Sequence, residues 1–238
     1  NATDPLTNLC NKDVYKIPMV LIIGWRGAPG IKDEAQHIIQ GKILKKTLKS
    51  FQIKSMEIKN NTDFPKISKL IDFAKKNSCC IAFVIKPKVF TKSNIKKINK
   101  INKKNNLFRK DVVNTLLKNV SKNTKIVSSV GFNSRELFQI RNEKNYKMGK
   151  DFLLVGAMGH TSATALSLSK FSKDNVVCLD GDGSFIMHLG ALTILNNYSL
   201  KNFKYILVDN ESHESIGGQS INIKNININK LSKSLGFK

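Results

Sequence analysis

The stretch that decides the fold is VVCLDGDGSFIMHLGALTILNNYSLKNFKYILVDNESHESIGGQ, residues 176–219. It opens with an apolar run that ends in a glycine-rich turn, Asp180-Gly181-Asp182-Gly183. Residues 184–196 are predicted to form a helix, and a second apolar run, 205–208, follows it. A strand, a crossover helix and a second strand in this order predict parallel strands of one α/β sheet.

Polar side chains follow both predicted strands. Asp182 lies in the first turn, and Asp209 and Asn210 come directly after the second strand. The turn leads into a helix, whose free N–H groups favour an anion such as a phosphate. A carboxylate beside a phosphate is repulsive unless a divalent cation lies between them, and Mg²⁺ takes carboxylate and amide oxygens as ligands. Since ligands of α/β sheets bind where parallel strands end, the stretch predicts a Mg²⁺ and phosphate site. An ordinary structural turn followed by an unrelated asparagine is the alternative.

The rest of the chain repeats the alternation of strands and helices. Apolar runs predict strands, and amphipathic runs predict helices, one of which has a face formed by Ile67, Leu70, Ile71 and Ala74. Asn133 or Ser134 is expected to cap another helix, with Leu137, Phe138 and Ile140 facing inward. The predicted strands are 19–23, 55–58, 81–85 and 125–130, and the predicted helices are 43–51, 67–76, 110–120, the one after residue 133, and the one after the glycine-rich turn at 156.

The amino-acid composition along the chain indicates two domains and a linker, and it argues against several classes of protein. A lysine- and asparagine-rich stretch, which includes a candidate helix within residues 86–106, separates two α/β units. We therefore predict domains at 1–90 and 108–238, joined by a linker at 91–107. The longest apolar runs have the length of strands, so no membrane span is expected. Neither a signal peptide nor metal-binding cysteine spacing is evident, and we expect a cytoplasmic protein with buried free cysteines.

The chain is strongly basic. Its 238 residues contain 40 Lys+Arg and 17 Asp+Glu, for a formal net charge of +23. Only four of the basic residues are arginines, which leaves 36 lysines, whereas recognition of nucleic acid favours the arginine fork. The lysines accompany Asn and Ile, as in residues 221–229, and are expected on solvated faces and linkers. We therefore expect no nucleic-acid partner, although a basic polyanion binder remains an alternative.

The spacing of the site motif resembles that of the thiamine-diphosphate (ThDP) enzymes. Gly181-Asp182-Gly183 is followed by 26 residues and then Asn210. The resemblance implies that Mg²⁺ is bound by Asp182, Asn210 and the backbone carbonyl of Ser212. It also implies that Met158 wedges between the two cofactor rings, while the carbonyl of Gly156 accepts a hydrogen bond from the pyrimidine. The cofactor-binding residues it implies are Gly156, Met158, Gly159, His160, Gly181, Asp182, Gly183, Ser184 and Asn210.

Longer strings resemble the phosphonopyruvate decarboxylases and, less closely, the sulfopyruvate decarboxylases. These are GWRGAPGIKDEAQH, SRELF, VGAMGHTSATAL, CLDGDGSFIMHLGAL and DNESHESIGGQ. The resemblance implies two parallel-sheet domains of the ThDP-binding type. It implies decarboxylation of 3-phosphonopyruvate to phosphonoacetaldehyde, with sulfopyruvate as the alternative substrate. It also implies a homodimer or larger homo-oligomer, because sites of this superfamily form between chains.

An anionic 2-oxo acid needs cationic and polar partners. We expect these from Arg26, Gln36, His37 and His213, the first three on a loop that follows an early strand. The alternative for Arg26 is a surface ion pair with Asp33 or Glu34. The family's catalytic glutamate would precede Asn1 and further strands would follow Lys238, so both domains are expected to be truncated. A catalytically silent, cofactor-binding fragment is therefore another alternative.

Overall fold

In the computed structural model of the chain, the residues described are 2–91, 107–144, 146, 150–198 and 200–237. The chain divides into two compact units, Asn1–Lys100 and Ile101–Lys238. This division falls within the predicted linker, and the domain bounds 1–90 and 108–238 stay predictions. Residues 92–106, where most of the candidate lysine-rich helix would fall, lie outside the described residues.

The first unit is a three-stranded parallel sheet with helices. Its strands are in the order β1-β3-β2. The elements are α1 (Thr3–Asn8), β1 (Met19–Gly24), α2 (Ala35–Ser50), β2 (Lys54–Ile58), α3 (Phe64–Asn77) and β3 (Cys80–Ile85).

The sequence patterns of the first unit explain most of these elements. The central strand β3 reads CIAFVI and is buried at every position, as expected when both faces of a parallel strand are covered. The predicted face of α3 is confirmed, since Leu70 and Ala74 are buried and Ile67 and Ile71 pack against the same cluster.

Helix α2 begins at Ala35, earlier than the predicted 43–51. Gln36 and His37 therefore lie in its first turn, and their expected placement on a loop was wrong. An internal glycine, Gly41, lowers helix propensity and hides this helix from a sequence pattern. It is required there, because a Cβ atom at Gly41 would lie 1.9 Å from the carbonyl oxygen of Gly27.

The second unit is a four-stranded parallel sheet in the order β5-β4-β6-β7, with a separate antiparallel pair, β8 and β9. The two units confirm the predicted α/β class with parallel sheets. The elements are α4 (Arg109–Asn119), β4 (Lys125–Ser128), α5 (Phe132–Glu143), β5 (Phe152–Leu153), α6 (Thr161–Lys170), β6 (Val176–Gly181), α7 (Asp182–Met187), β7 (Phe203–Val208), β8 (Ser212–His213), β9 (Gln219–Ser220) and α8 (Ile228–Ser234).

Three expectations about the second unit were wrong. The predicted helix 184–196 is a short α-helix, α7, followed by a 3₁₀ segment, Leu189–Asn197. Neither Asn133 nor Ser134 caps α5, which begins after Gly131. The Ser134 hydroxyl instead donates to the carbonyls of Ser128 and Ser129, at 3.2 and 2.7 Å. Phe138 points outward and is 48% exposed, whereas Leu137 and Ile140 are buried.

The isoleucine- and asparagine-rich residues 221–229 are not simply a solvated face. Ile221 and Ile223 are 6% and 1% exposed and pack in one cluster with Leu166, Phe185 and Leu192. Composition alone concealed this contribution to the core, because the apolar residues alternate with polar residues that remain outside.

The four cysteines are free, and Cys10, Cys80 and Cys178 are buried. Burial raises the pKa of the Cys80 thiol to about 12, and the neighbouring Cys10 adds to this effect. The Cys80 thiol is therefore neutral at physiological pH and serves as a small apolar side chain.

No helix in the described part of the chain is long and apolar enough to cross a membrane.

Candidate active site

A cleft lies where the strands of the second unit end. Gly181 at the end of β6 is in register with Val208 at the end of β7, and the backbone N–H of Ser129 after β4 donates to Leu179. Three chain segments therefore leave the sheet at one edge. The residues that line the cleft are Arg109, Ser129, Val130, Phe132, Asn133, Met158, Gly181, Asp182, Gly183, Ser184, Val208, Asn210, Ser212, His213, Glu214 and Ser215.

The three predicted metal ligands are brought together in this cleft. One oxygen of the Asp182 carboxylate accepts hydrogen bonds from the backbone N–H groups of Asn210 and Ser212, at 3.2 and 3.3 Å. The other accepts from the N–H of Gly183 at 2.8 Å. The side-chain oxygen of Asn210 accepts from Ser212 at 3.2 Å. A carboxylate and an amide oxygen thus lie within one small region, beside the backbone N–H of Ser212.

The electrostatics of this region suit a cation. Asp182 is buried, and burial raises the pKa of its carboxyl, an effect that the neighbouring carboxyl of Asp209 increases. Among the described residues, no lysine or arginine forms an ion pair with either carboxyl. A divalent cation would relieve this repulsion, and hard oxygen ligands are those that Mg²⁺ prefers. The residues present therefore fit a bound Mg²⁺.

Gly183 lies beneath the imidazole of His213. A Cβ atom at Gly183 would lie 2.6 Å from the Cε1 atom of His213, so only glycine allows this close approach. His213 lines the cleft, and its ring lies over the turn that is predicted to face the diphosphate. Of the turn's backbone N–H groups, that of Gly183 is already bonded to Asp182.

The second glycine-rich turn has an unusual backbone. Gly156, Ala157 and Gly159 all have positive φ angles, of 79°, 48° and 88°. The N–H of Gly159 donates to the Ser184 hydroxyl at 3.1 Å, which joins this turn to the start of α7. Met158, between the two glycines, lines the cleft. The two sequence motifs that suggested a cofactor site are therefore in direct contact.

Some of the predicted cofactor residues stand apart from the cleft. Gly156, Gly159 and His160 are not among the residues that line it. His160 is exposed at the start of α6, and its ring stacks edge-on against His188 with centroids 4.2 Å apart.

Asp180 is a buried carboxylate that the sequence analysis did not single out. It accepts a hydrogen bond from the Tyr205 hydroxyl at 2.7 Å and another from the N–H of Gly181 at 3.0 Å. The hydroxyls of Thr161 and Ser184, which are hydrogen-bonded to each other at 3.2 Å, lie nearby and lower its pKa. Burial nevertheless raises its pKa, since it has no cationic partner among the described residues. Its position at the end of a buried apolar run was the only signal in the sequence.

Arg109 and Glu214 were also missed. They form an ion pair of 2.6 Å in the wall of the cleft. Their separation along the chain gave no pattern that could have linked them, and Arg109 lies next to the predicted linker.

The first unit has a polar cluster of its own around Asp33. The Nε and Nη2 atoms of Arg26 donate to this carboxylate at 2.9 and 2.6 Å, and Nδ1 of His37 lies 3.0 Å from it. The backbone N–H groups of Gly27 and Glu34 complete the set. These donors, chiefly Arg26, hold the pKa of Asp33 well below its ordinary value. The ion pair considered as an alternative for Arg26 is thus formed with Asp33.

Gln36 lies beside this cluster on α2. Its side-chain oxygen is buried and has no hydrogen-bond partner among the described residues. The structure therefore places Arg26 and His37 on one carboxylate, with an unpaired amide oxygen in the same helical turn as His37.

Comparison with known proteins gives matches over both units. Residues 129–236 match the family model for the thiamine pyrophosphate enzyme, C-terminal TPP binding domain. Phosphonopyruvate decarboxylase of Streptomyces viridochromogenes is 26% identical over 261 residues, which cover 100% of this chain and 62% of the relative. That of Streptomyces hygroscopicus is 27% identical over 256 residues, covering 100% of this chain and 61% of the relative.

A sulfopyruvate decarboxylase subunit is also similar. The beta subunit from Methanocaldococcus jannaschii is 32% identical over 130 residues, which cover 54% of this chain and 66% of the relative. The chain thus spans 61% to 66% of the length of these curated relatives. Residues 129–236 are thus similar to the C-terminal, TPP-binding domains of the thiamine pyrophosphate enzymes, and the chain as a whole is similar to phosphonopyruvate and sulfopyruvate decarboxylases.

Proposed function

We propose that the chain acts as a Mg²⁺- and ThDP-dependent decarboxylase of 3-phosphonopyruvate. The products are phosphonoacetaldehyde and CO₂, and the reaction serves phosphonate biosynthesis in the cytoplasm. The observation that carries the proposal is the convergence of Asp182, Asn210 and Ser212 at one sheet edge, in contact with the turn that contains Met158. The similarity of the whole chain to part of two phosphonopyruvate decarboxylases supports the choice of substrate.

The chain's own residues hold and orient the cofactor. The side chains of Asp182 and Asn210 and the carbonyl of Ser212 bind Mg²⁺. Gly181, Gly183 and Ser184 line the approach of the diphosphate. Gly159 and His160, which belong to the adjoining turn and do not line the cleft, are assigned to the cofactor from the family motif alone. The Gly156 carbonyl and Met158 fix the cofactor's rings. When bound, ThDP supplies an electron sink for the charge left behind when CO₂ departs.

The substrate carries a carboxylate and a phosphonate, and it needs cationic partners. We assign Arg26, Gln36, His37 and His213 to this task. Nδ1 of His37 is taken by Asp33, which orients the ring and leaves Nε2 for the substrate or a proton. The Arg26 side chain is 57% exposed although it pairs with Asp33. Part of its guanidinium group therefore remains accessible to a substrate. His213 lines the cleft of the second unit.

The proposed enzyme is a homodimer or a larger homo-oligomer. The relative from Methanocaldococcus jannaschii is designated a beta subunit, which indicates that it assembles with another subunit. For this chain, similarity over its whole length to relatives whose names carry no subunit designation favours copies of one chain.

Thermal unfolding tests the cofactor part of the proposal. We expect ThDP to raise the unfolding midpoint only when Mg²⁺ is present, because the metal must screen Asp182 from the diphosphate. Asp182→Ala should abolish this joint effect, while Glu143→Ala, which removes an exposed carboxylate of the same unit, should preserve it. A midpoint raised equally by ThDP with and without Mg²⁺ would contradict the assigned metal site.

Sulfopyruvate is the second candidate substrate, favoured by the 32% identity to a sulfopyruvate decarboxylase subunit. Steady-state decarboxylation of both acids at saturating ThDP and Mg²⁺ separates the two. We expect the higher kcat/KM for 3-phosphonopyruvate, whose phosphonate carries more negative charge. A clear preference for sulfopyruvate would replace the proposed substrate but leave the cofactor site unchanged.

A further inference from the structure

Asn210 has a second hydrogen-bond partner besides the predicted metal site. Its side-chain nitrogen donates to the Glu214 carboxylate at 3.0 Å, while its side-chain oxygen accepts from Ser212 at 3.2 Å. The two ends of one amide group are thus held by different partners. Only the oxygen can bind a metal ion, so the orientation of this amide decides whether Asn210 is a ligand.

Glu214 fixes that orientation. An ionised carboxylate accepts hydrogen bonds and donates none, so the end of the amide that faces Glu214 must be its NH₂ group. The amide oxygen is then directed away from Glu214. It faces Ser212, whose backbone N–H also approaches the carboxylate of Asp182 at 3.3 Å. The arrangement places the oxygen on the side of the other two predicted ligands.

Arg109 holds Glu214 in position. The same Glu214 oxygen that accepts from Asn210 also accepts from Nη2 of Arg109 at 2.6 Å. Arg109 is only 14% exposed, and its Nη1 atom donates to Glu136 at 3.2 Å. Its guanidinium also lies 5.4 Å from the ring centroid of Phe132. The arginine is therefore anchored on several sides and provides a rigid support for the carboxylate.

The charge of Arg109 has a second effect. The neighbouring carboxyls of Asp182 and Asp209 already repel each other near the predicted Mg²⁺, and Glu214 adds a third negative group where it contacts the Asn210 amide. The ion pair with Arg109 engages Glu214, so that it neither competes for the metal nor repels a diphosphate. Residues that hydrogen-bond to a metal-binding side chain and orient it are typical of metal sites. Their loss commonly lowers metal affinity by about 10–100-fold.

We propose that Glu214, anchored by Arg109, is a positioning residue that orients the Asn210 amide for metal binding. This inference rests on the proposed function, since it assumes that Asn210 binds Mg²⁺. It extends that function, because neither residue is among the ligands that the family motif implies.

Binding of Mn²⁺, followed by electron paramagnetic resonance with ThDP present, tests the inference without measuring activity. We expect Glu214→Ala to weaken Mn²⁺ binding by about 10–100-fold. Glu214→Gln should bind within about threefold of the unaltered chain, because its amide oxygen can accept the same two hydrogen bonds. Glu143→Ala is the control for the loss of one negative charge, and it should leave the affinity unchanged.

A merely structural role for Glu214 predicts a different result. The ion pair with Arg109 also ties the segment after β8 to α4, so its loss lowers stability whether or not Asn210 is oriented. Unfolding midpoints without metal are therefore measured for each variant. Equal Mn²⁺ affinity in Glu214→Ala and Glu143→Ala would overturn the inference, as would equal losses in Glu214→Ala and Glu214→Gln.

A second variant leaves the Glu214 segment intact. Arg109→Met removes the anchor, and we expect it to weaken Mn²⁺ binding by at least threefold; unchanged affinity would overturn the role of Arg109. If the unaltered chain bound no Mn²⁺, the proposed function would fail and this inference with it. If the unaltered chain bound Mn²⁺ and Glu214→Ala bound it equally well, the inference alone would fail.

Discussion

Two carboxylates close together in the sequence have different surroundings. Among the described residues, Asp182 accepts from backbone N–H groups and interacts with the neighbouring carboxyl of Asp209, whereas Asp180 accepts from the Tyr205 hydroxyl and has the hydroxyls of Thr161 and Ser184 nearby. The sequence could predict a function for Asp182, because the spacing to Asn210 is a local pattern. It could not single out Asp180, whose partners Thr161, Ser184 and Tyr205 meet only after folding.

The hydrogen bond from Tyr205 to Asp180 should make a measurable contribution to stability. Tyr205→Phe removes a donor to a buried, ionised carboxylate, and we expect the free energy of unfolding to fall by about 2 kcal/mol at pH 8. Urea denaturation measures this loss. The control is Tyr198→Phe, which alters an exposed hydroxyl bonded to Lys170 at 3.4 Å and should cost little.

The loss in the free energy of unfolding caused by Tyr205→Phe should depend on pH. Burial raises the pKa of folded Asp180 above its ordinary value of 3.8, so ionisation of this group costs stability as the pH rises through that range. Tyr205 offsets part of this cost. As the pH falls, the folded carboxyl becomes neutral before an ordinary aspartate does and its hydrogen bond weakens, so the effect of Tyr205→Phe should be smaller at pH 4 than at pH 8 and should shrink towards about 1 kcal/mol. A loss that stays constant between pH 4 and pH 8 would argue against an ionised Asp180.

At the scale of elements, periodicity predicted the buried strands and α3 but failed where glycine or polar residues interrupt the pattern. The start of α2 was missed because Gly41 lies inside it. The short strands β8 and β9 were missed because two residues each are too few to form a pattern. In each case a contact between distant parts of the chain determines the element.

Close approach of two backbones fixes α2 against the loop after β1. Gly41→Ala would place a Cβ atom 1.9 Å from the Gly27 carbonyl oxygen, where neither backbone can yield easily. Helix α2 must then shift, which would also break the hydrogen bond from the Trp25 indole to the Gly41 carbonyl, 2.8 Å long. We expect a loss of about 3 kcal/mol or more in the free energy of unfolding, measured by urea denaturation.

Gly24→Ala is the matched control in the same unit. A Cβ atom there would have no heavy atom within 4 Å, and its φ angle is not in the left-handed region. We expect a change within about 0.5 kcal/mol. Similar losses in the two variants would show that the Gly41 contact is not the cause.

At the scale of the whole molecule, the net charge of +23 is carried by lysine. The arginines contact other side chains: Arg26 pairs with Asp33, Arg109 with Glu136 and Glu214, Arg141 with Asp151, and Arg135 lies 5.9 Å from the ring centroid of Phe132. Composition predicted that lysine would not provide base-specific recognition. Composition could not predict that most of the arginine guanidinium groups would form ion pairs with carboxylates.

Binding to DNA should therefore be weak and non-specific. We expect a Kd no tighter than about 1 µM for a duplex in 0.15 M salt, and a further steep loss as salt rises. Fluorescence anisotropy with two unrelated duplex sequences measures both quantities. Nanomolar binding that distinguishes the two sequences would support the alternative of a nucleic-acid binder and would require arginines released from their present partners.

The surroundings of Asp180 also limit how this sequence can change over generations. Its donors are the Tyr205 hydroxyl on β7 and the N–H of Gly181 at the end of β6, and the hydroxyls of Thr161 on α6 and Ser184 on α7 lie nearby. Loss of a donor leaves a buried charge less well solvated, whereas loss of the charge leaves the hydroxyls able to bond to one another, as Thr161 and Ser184 already do at 3.2 Å. Sequences that keep this fold should therefore replace Asp180 before Tyr205. Selection then acts on the order of the two substitutions as well as on their identity.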